Sequence, residues 1–182
     1  MDRVKTGING LDELLNGGIP SGNLVLISGG AGTGKSTLCT QYLVHGANSG
    51  EKCLYISTEQ NQEQLHRAGV NYGWNLNELT TAGNLKIEYI DVVNENNFME
   101  RIKKSVKDFQ PTRVVIDSLN TFSDYVSINE YARQTLLTRG GASAKIAETI
   151  VPGRISEKTF TRRMLLTLIN GLRNTNATVF LT

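Results

Sequence analysis

The stretch "GGAGTGKST", Gly29 to Thr37, lies between the apolar run "LVLIS" (Leu24–Ser28) and "STLCTQYLVHGA" (Ser36–Ala47), whose apolar residues recur with helical period. Four glycines and one lysine at a strand-to-helix junction answer one physical demand: backbone N–H groups must come within hydrogen-bond reach of a bulky anion. Glycine removes the side chain that would block that approach and tolerates the φ/ψ values such a loop needs. The helix N-terminus adds unpaired N–H groups and the positive end of the helix dipole. Gly29, Gly34, Lys35 and Ser36 complete the pattern G-x-x-x-x-G-K-[ST], in which the lysine reaches the β- and γ-phosphates of a nucleotide and the hydroxyl coordinates Mg2+. Average residue usage gives this pattern a chance frequency of roughly 4 in 100,000 starting positions, so a merely flexible glycine-rich turn is the weaker reading.

The remainder of the composition sets bounds. A chain of 182 residues holds one domain with a real core and is too short for two comfortable ones. Hydrophobic content of 39% and charged content of 20% are those of a globular protein. A net charge of +2 permits contact with nucleic acid without arguing for it, because no dense basic block is present. "RIKKSVK" (Arg101–Lys107) comes nearest and reads as a solvated helix face. Cys39 and Cys53 lack metal-type spacing and read as small buried residues in a reducing compartment. No apolar run approaches a membrane span, and "MDRVKTGING" has no signal-peptide core, so the expected location is cytoplasmic with no membrane partner.

Five β-branched, apolar runs predict strands: "LVLIS", "CLYIS" (Cys53–Ser57), "LKIEYID" (Leu85–Asp91), "RVVID" (Arg113–Asp117) and "ATVFLT" (Ala177–Thr182). Between most of them lie segments of helical period, among them "NQEQLHRAGVNYG" (Asn61–Gly73), "NNFMERIKKSVKDF" (Asn96–Phe109) and "FTRRMLLTLINGLRN" (Phe160–Asn174). Strands alternating with helices imply an α/β domain with a mainly parallel sheet and helices on both faces. Lys86 and Glu88 alternate with apolar residues as on a sheet edge, and Pro111 marks a helix stop. Residues Ser118 to Lys158 form a long connector, read as a mobile functional segment or partial helices.

A Mg2+–triphosphate site needs carboxylates at strand ends that open into the same crevice. "RVVID" ends in Asp117, the Walker B pattern, in which the aspartate holds Mg2+. Glu59 stands two residues past "CLYIS". It is suited to orient and deprotonate the water that attacks a γ-phosphate, and equally to begin the next helix as a first-turn acid. Trp74 reads as a core anchor, Arg162 and Arg163 as polar-face residues, and His45 and His66 as lone histidines.

The opening "TGINGLDELLNGGIPSGNLVLISGGAGTGKST" (Thr6–Thr37) resembles the KaiC-like branch of the RecA superfamily of P-loop ATPases, in which a Thr-Gly…Leu-Asp…Gly-Gly-x-Pro-x-Gly stretch leads into the P-loop strand. "LYISTEQ" (Leu54–Gln60), "YGWNL" (Tyr72–Leu76), "RVVIDSL" (Arg113–Leu119) and "TRRMLLTLINGLRNTNATVFLT" (Thr161–Thr182) follow in family order and span almost the whole chain outside the connector. The resemblance implies a single RecA-type ATPase domain over residues 1–182 whose first five strands run 3-2-4-5-1 across the sheet. It also implies ATP and Mg2+ as ligands and a ring-shaped homo-oligomer, hexameric in the family. KaiC proteins follow the second strand with two adjacent glutamates, the first of which activates water. Here the pair is Glu59 and Gln60, so the base is retained while its neighbour can orient a water but cannot take a proton.

The candidate catalytic residues are therefore Glu59, Lys35 and Gln60, and the candidate metal ligands Ser36 and Asp117. The candidate nucleotide-binding residues are Gly29, Gly30, Ala31, Gly32, Thr33, Gly34, Lys35, Ser36 and Thr37. Family domains continue past "FLT" with strands that carry adenine contacts and the Lys/Arg residues that reach a neighbouring subunit. The expectation is a C-terminally incomplete form of a longer protein, or a strand 1 covered by another chain or segment. The connector exceeds that of KaiC domains, and its "GGASAK" is either a substrate or DNA loop or a disordered insertion. The leading expectation is Mg2+-dependent ATP hydrolysis in a ring. The alternatives are a slowly or non-hydrolysing switch acting on protein partners, and a RecA-paralogue DNA binder. Autokinase activity, known in the family's circadian-clock members, depends on a second domain and C-terminal sites not found in these residues.

Overall fold

The computed structural model describes residues 2–92, 94–95, 98–121 and 157–182, the side chains of residues 157–161 and 164 excepted. From the N-terminus run β1 (Arg3–Val4), α1 (Leu11–Leu14), β2 (Ile19–Pro20), β3 (Leu24–Leu26), α2 (Lys35–Asn48), β4 (Cys53–Ser57), α3 (Gln62–Asn71), α4 (Leu76–Thr81), β5 (Leu85–Tyr89), α5 (Phe98–Phe109), β6 (Arg113–Asp117), α6 (Glu157–Arg173) and β7 (Thr178–Leu181). β3 to β7 form one five-stranded sheet in the spatial order β3-β7-β6-β4-β5, every neighbouring pair parallel. Counted from the first predicted strand this is the order 3-2-4-5-1, and the fold is an α/β RecA-type core. Residues 122–156 of the long connector lie outside the described residues.

Alternation along the strands divides the core in two. Leu54, Ile56, Val114, Ile116, Val179 and Leu181 face α5 and α6, where Phe98, Ile102, Val106, Leu168 and Leu172 meet them. Tyr55, Val115 and Phe180 face the other way, toward Cys39, Tyr42, Leu43 and Ala47 of α2 and toward Leu65, Leu76 and Leu79. Both faces are covered, which is why β4 and β6 are buried along their whole length and read as continuous apolar runs. The charged edge strand also behaves as its sequence implies. Glu88 of β5 accepts from Arg101 at 2.8 Å, pairs with Lys86 at 3.3 Å and accepts from the Ser105 hydroxyl. At the opposite edge, β3 pairs with β7 alone among the described residues, and Leu26 is 67% exposed.

The sequence reading did not anticipate the antiparallel β1–β2 ribbon, α1 or α4, all too short to carry a periodic signal. The ribbon is held by Arg3, whose guanidinium donates to the carbonyls of Leu15 at 2.8 Å and Gly18 at 2.6 Å. The Thr6-Gly7…Leu11-Asp12 signature is a hydrogen-bonded clasp. Asp12 Oδ1 accepts from the Thr6 N–H and hydroxyl, both at 2.7 Å, and Gln41 of α2 donates to Gly7 O at 2.9 Å. The clasp therefore seats the N-terminal segment on the helix that follows the glycine loop.

Among the described residues Arg113 is the largest fully buried side chain. Its guanidinium donates to Glu51 at 2.5 and 2.8 Å and to the carbonyls of Lys5 and Tyr42, and lies 4.7 Å over the Tyr42 ring. Gly46 makes room for it, since a Cβ there would sit 2.3 Å from Arg113 Nε. The guanidinium cannot step aside without breaking those bonds. Gly46→Ala is thus expected to destabilise the chain by about 1–3 kcal/mol, although alanine in a helix interior is worth roughly 1 kcal/mol over glycine. Urea unfolding checks this, and an unchanged or raised midpoint contradicts it.

The hydrogen bonds from Arg113 hold the Glu51 carboxyl below its ordinary value of 4.5. A carboxyl depressed in the folded state adds stability that is fully present above pH 4.5 and is lost as pH falls through the lower folded value. Glu51→Gln is therefore expected to flatten the loss of stability on acidification below pH 4.5, followed by denaturant titration at several pH values. An acid limb as steep as that of the unaltered chain contradicts the assignment.

Candidate nucleotide site

β3 delivers the chain to the glycine loop, and α2 begins at Lys35 immediately after it. Gly34, the residue capping α2, has φ 87°, and Gly32 has φ 75°, both in the left-handed region where a side chain is strained. A Cβ built on Gly30, Gly32 or Gly34 would meet no other atom within 4 Å. Packing within the described residues does not demand these glycines: the left-handed backbone accounts for Gly32 and Gly34, and Gly30 leaves open space beside the loop backbone. Among the described residues, none accepts a backbone hydrogen bond from the N–H groups of Ala31 through Gly34. The Lys35 ammonium lies over the loop, donating to Gly29 O and Gly30 O at 2.9 Å each, and Thr33 Oγ1 donates to Gly30 O at 2.9 Å.

The carboxylates arrive from the adjacent strands β4 and β6, whose register sets Ser57 opposite Asp117. Thr58 ties the two strand ends together: its N–H donates to Asp117 O at 2.8 Å, and its hydroxyl donates to Ser118 O at 3.0 Å and accepts from Ser118 N at 2.9 Å. Beyond this clasp the exposed Glu59 accepts from the Ser118 hydroxyl at 2.5 Å. Asp117 is buried and accepts from Tyr55 and Thr182. Loop residues 29–37, Glu59, Asp117, Ser118 and Asn120 line one cleft of about 520 Å3, a size typical of small-molecule sites. Of the candidate catalytic, metal and nucleotide-binding residues named from the sequence, Gln60 alone is not part of this lining; its N–H ends on Ser57 Oγ at 2.9 Å.

Ser118 and Asn120 line the cleft and were not foreseen; only their nearness to Asp117 in sequence could have signalled them. Tyr55, Thr58 and Thr182 sit behind the lining and carried no signal, because each reads as an ordinary strand residue. A second cleft of about 550 Å3, between the C-terminal parts of α5 and α6, is floored by Ile102, Val106, Leu168 and Leu172. Among the described residues its lining includes neither the glycine loop nor a carboxylate.

The donor set of the first cleft fits a nucleoside triphosphate with Mg2+. An ammonium, free loop N–H groups and a helix N-terminus favour phosphates. The Ser36 hydroxyl and the Asp117 carboxylate are hard oxygen donors of the kind Mg2+ takes alongside phosphate oxygens. The family model for the ATPase KaiC matches residues 4–140. The chain belongs to the KaiC ATPase family. A UPF0273 protein of Pyrococcus furiosus is 34% identical to it, the alignment covering 74% of this chain and 61% of that one. The circadian clock oscillator protein KaiC of Parathermosynechococcus lividus is 34% identical, over 71% of this chain and 24% of that protein. Among solved structures, the crystal structure of a KaiC-like protein from Pyrococcus horikoshii OT3 matches all of this chain and 69% of that one, with TM-score 0.73 and 31% identity. The chain spans about three fifths of the length of the UPF0273 relatives it matches. Membership of the KaiC family places it in the superfamily of nucleotide-binding ATPases. Among the described residues, no helix is long and apolar enough to cross a membrane.

Proposed function

We propose that this KaiC-family chain binds ATP with Mg2+ at the glycine loop and hydrolyses it, and that it works as a homo-oligomeric ring, hexameric as in the family. The observation that carries the reading is the convergence of Lys35, Ser36, Asp117 and Glu59 on one cleft with the loop. In the proposed mechanism the loop N–H groups and Lys35 bind the phosphates, Lys35 exchanging its contacts with Gly29 and Gly30 for β- and γ-phosphate oxygens. Ser36 and Asp117 would hold Mg2+, which neutralises charge developing on the phosphate oxygens. Glu59, with one oxygen held by Ser118, keeps its other oxygen to orient the attacking water and accept its proton.

A second reading, a slowly hydrolysing switch that acts on protein partners, is favoured by Gln60 standing outside the cleft where KaiC proteins carry a second glutamate. Steady-state ATP turnover with and without single-stranded DNA separates the readings. The proposal expects Mg2+-dependent turnover that DNA leaves unchanged. Turnover absent despite tight ATP binding selects the switch, and turnover stimulated by DNA selects a recombinase-like role.

A further inference from the structure

Alternation along the strands places Tyr55, Asp117 and Thr182 on the sheet face that α2 covers, Tyr55 in the middle of β4 and the other two at the carboxyl ends of β6 and β7. The Tyr55 hydroxyl donates to Asp117 Oδ2 at 2.7 Å, and the Thr182 hydroxyl donates to Oδ1 at 2.5 Å. Among the described residues each carboxylate oxygen thus carries one donor, from strands on either side of β6. A carboxylate offers about four lone-pair positions, so both oxygens retain capacity toward the cleft that Asp117 lines.

The two donors are themselves fixed. Tyr55 is fixed by its burial among Cys39, Tyr42 and Val115. Thr182 is pinned through its backbone, donating to Ile116 O at 3.1 Å and accepting from Leu119 N at 2.6 Å. Phenylalanine would fill the Tyr55 site without a polar atom to satisfy. The phenol is therefore best accounted for by what it does to Asp117.

We infer that Tyr55 and Thr182 are positioning residues for the metal-facing carboxylate: gripping one oxygen each, they fix the rotation of Asp117 so that it presents its free lone pairs to the cation shared with Ser36. This rests on the reading of the cleft as a Mg2+–nucleotide site. Hydrogen-bonding partners of metal-ligating carboxylates are worth about 10- to 100-fold in metal affinity, which sets the expected effect.

The test uses Mn2+ as the probe, its free concentration read by electron paramagnetic resonance in the presence of a non-hydrolysable ATP analogue. Tyr55→Phe and Thr182→Val are each expected to weaken Mn2+ binding by about 10-fold or more, with Thr182→Ser restoring it to within about twofold. Analogue affinity measured in EDTA should stay that of the unaltered chain. A purely structural role would instead lower the melting temperature and leave Mn2+ affinity alone. Should Tyr55→Phe fail to fold, the Thr182→Val and Thr182→Ser pair decides. Folded variants with unaltered Mn2+ affinity overturn this inference and leave the nucleotide site standing. An unaltered chain that binds no analogue overturns the nucleotide site and this inference together.

Discussion

Lys35→Ala is expected to weaken ATP binding by roughly a hundredfold or more. Among the described residues Lys35 is the one cation in the lining of the cleft, and it opens α2 directly beneath the loop. Two charge-assisted contacts to phosphate oxygens at roughly 1.5–3 kcal/mol each amount to that loss. The change should be nearly silent in the chain without nucleotide, because what it removes there is a pair of exposed hydrogen bonds to Gly29 and Gly30 carbonyls. A fluorescent-nucleotide titration gives the affinity and thermal unfolding gives the stability. Unchanged affinity in a folded variant removes the glycine loop from nucleotide binding.

Glu59→Gln should separate binding from chemistry. The amide oxygen of this variant can still accept from Ser118, so the side chain keeps its place, but it can no longer take a proton. ATP and Mg2+ binding should persist while turnover falls by roughly 100-fold or more, the scale of lost general-base help. Gln60→Ala should be mild, since Gln60 lies outside the cleft lining. If Gln60→Ala proves the damaging change and Glu59→Gln the mild one, the base is misassigned.

The glycine loop and Asp117 were legible because their chemistry dictates residue types at fixed spacing. A backbone cradle demands glycines, and a strand-end carboxylate follows four strand-forming residues. The sheet order was legible through resemblance, since periodicity alone says that strands are parallel but not which lies beside which. Behind the cleft and in the core, the residues missed share one cause. Tyr55 and Thr182 act across strands, and Tyr55 is 62 positions from its partner Asp117, with Thr182 65 positions away. Only the register that sets Tyr55 beside Val115 and Ile116 beside Leu181 brings them together. Thr58 likewise looks like strand residue until β6 arrives beside it. Arg113 reads as the polar start of an apolar strand, and its burial depends on Gly46 and Glu51, which belong to other elements. The β1–β2 ribbon escaped because two residues carry no period.

The central claim, that nucleotide occupies the glycine-loop cleft, is tested most directly by following backbone amide resonances of the unaltered chain during titration with a non-hydrolysable ATP analogue and Mg2+. The expected result is that the largest shifts fall on Gly29 to Thr37, Glu59, Asp117 and Ser118, and that those at Asp117 and Ser118 need Mg2+. Shifts concentrated instead around Ile102, Val106 and Leu172, at the cleft between α5 and α6, or no shifts at all, would contradict it.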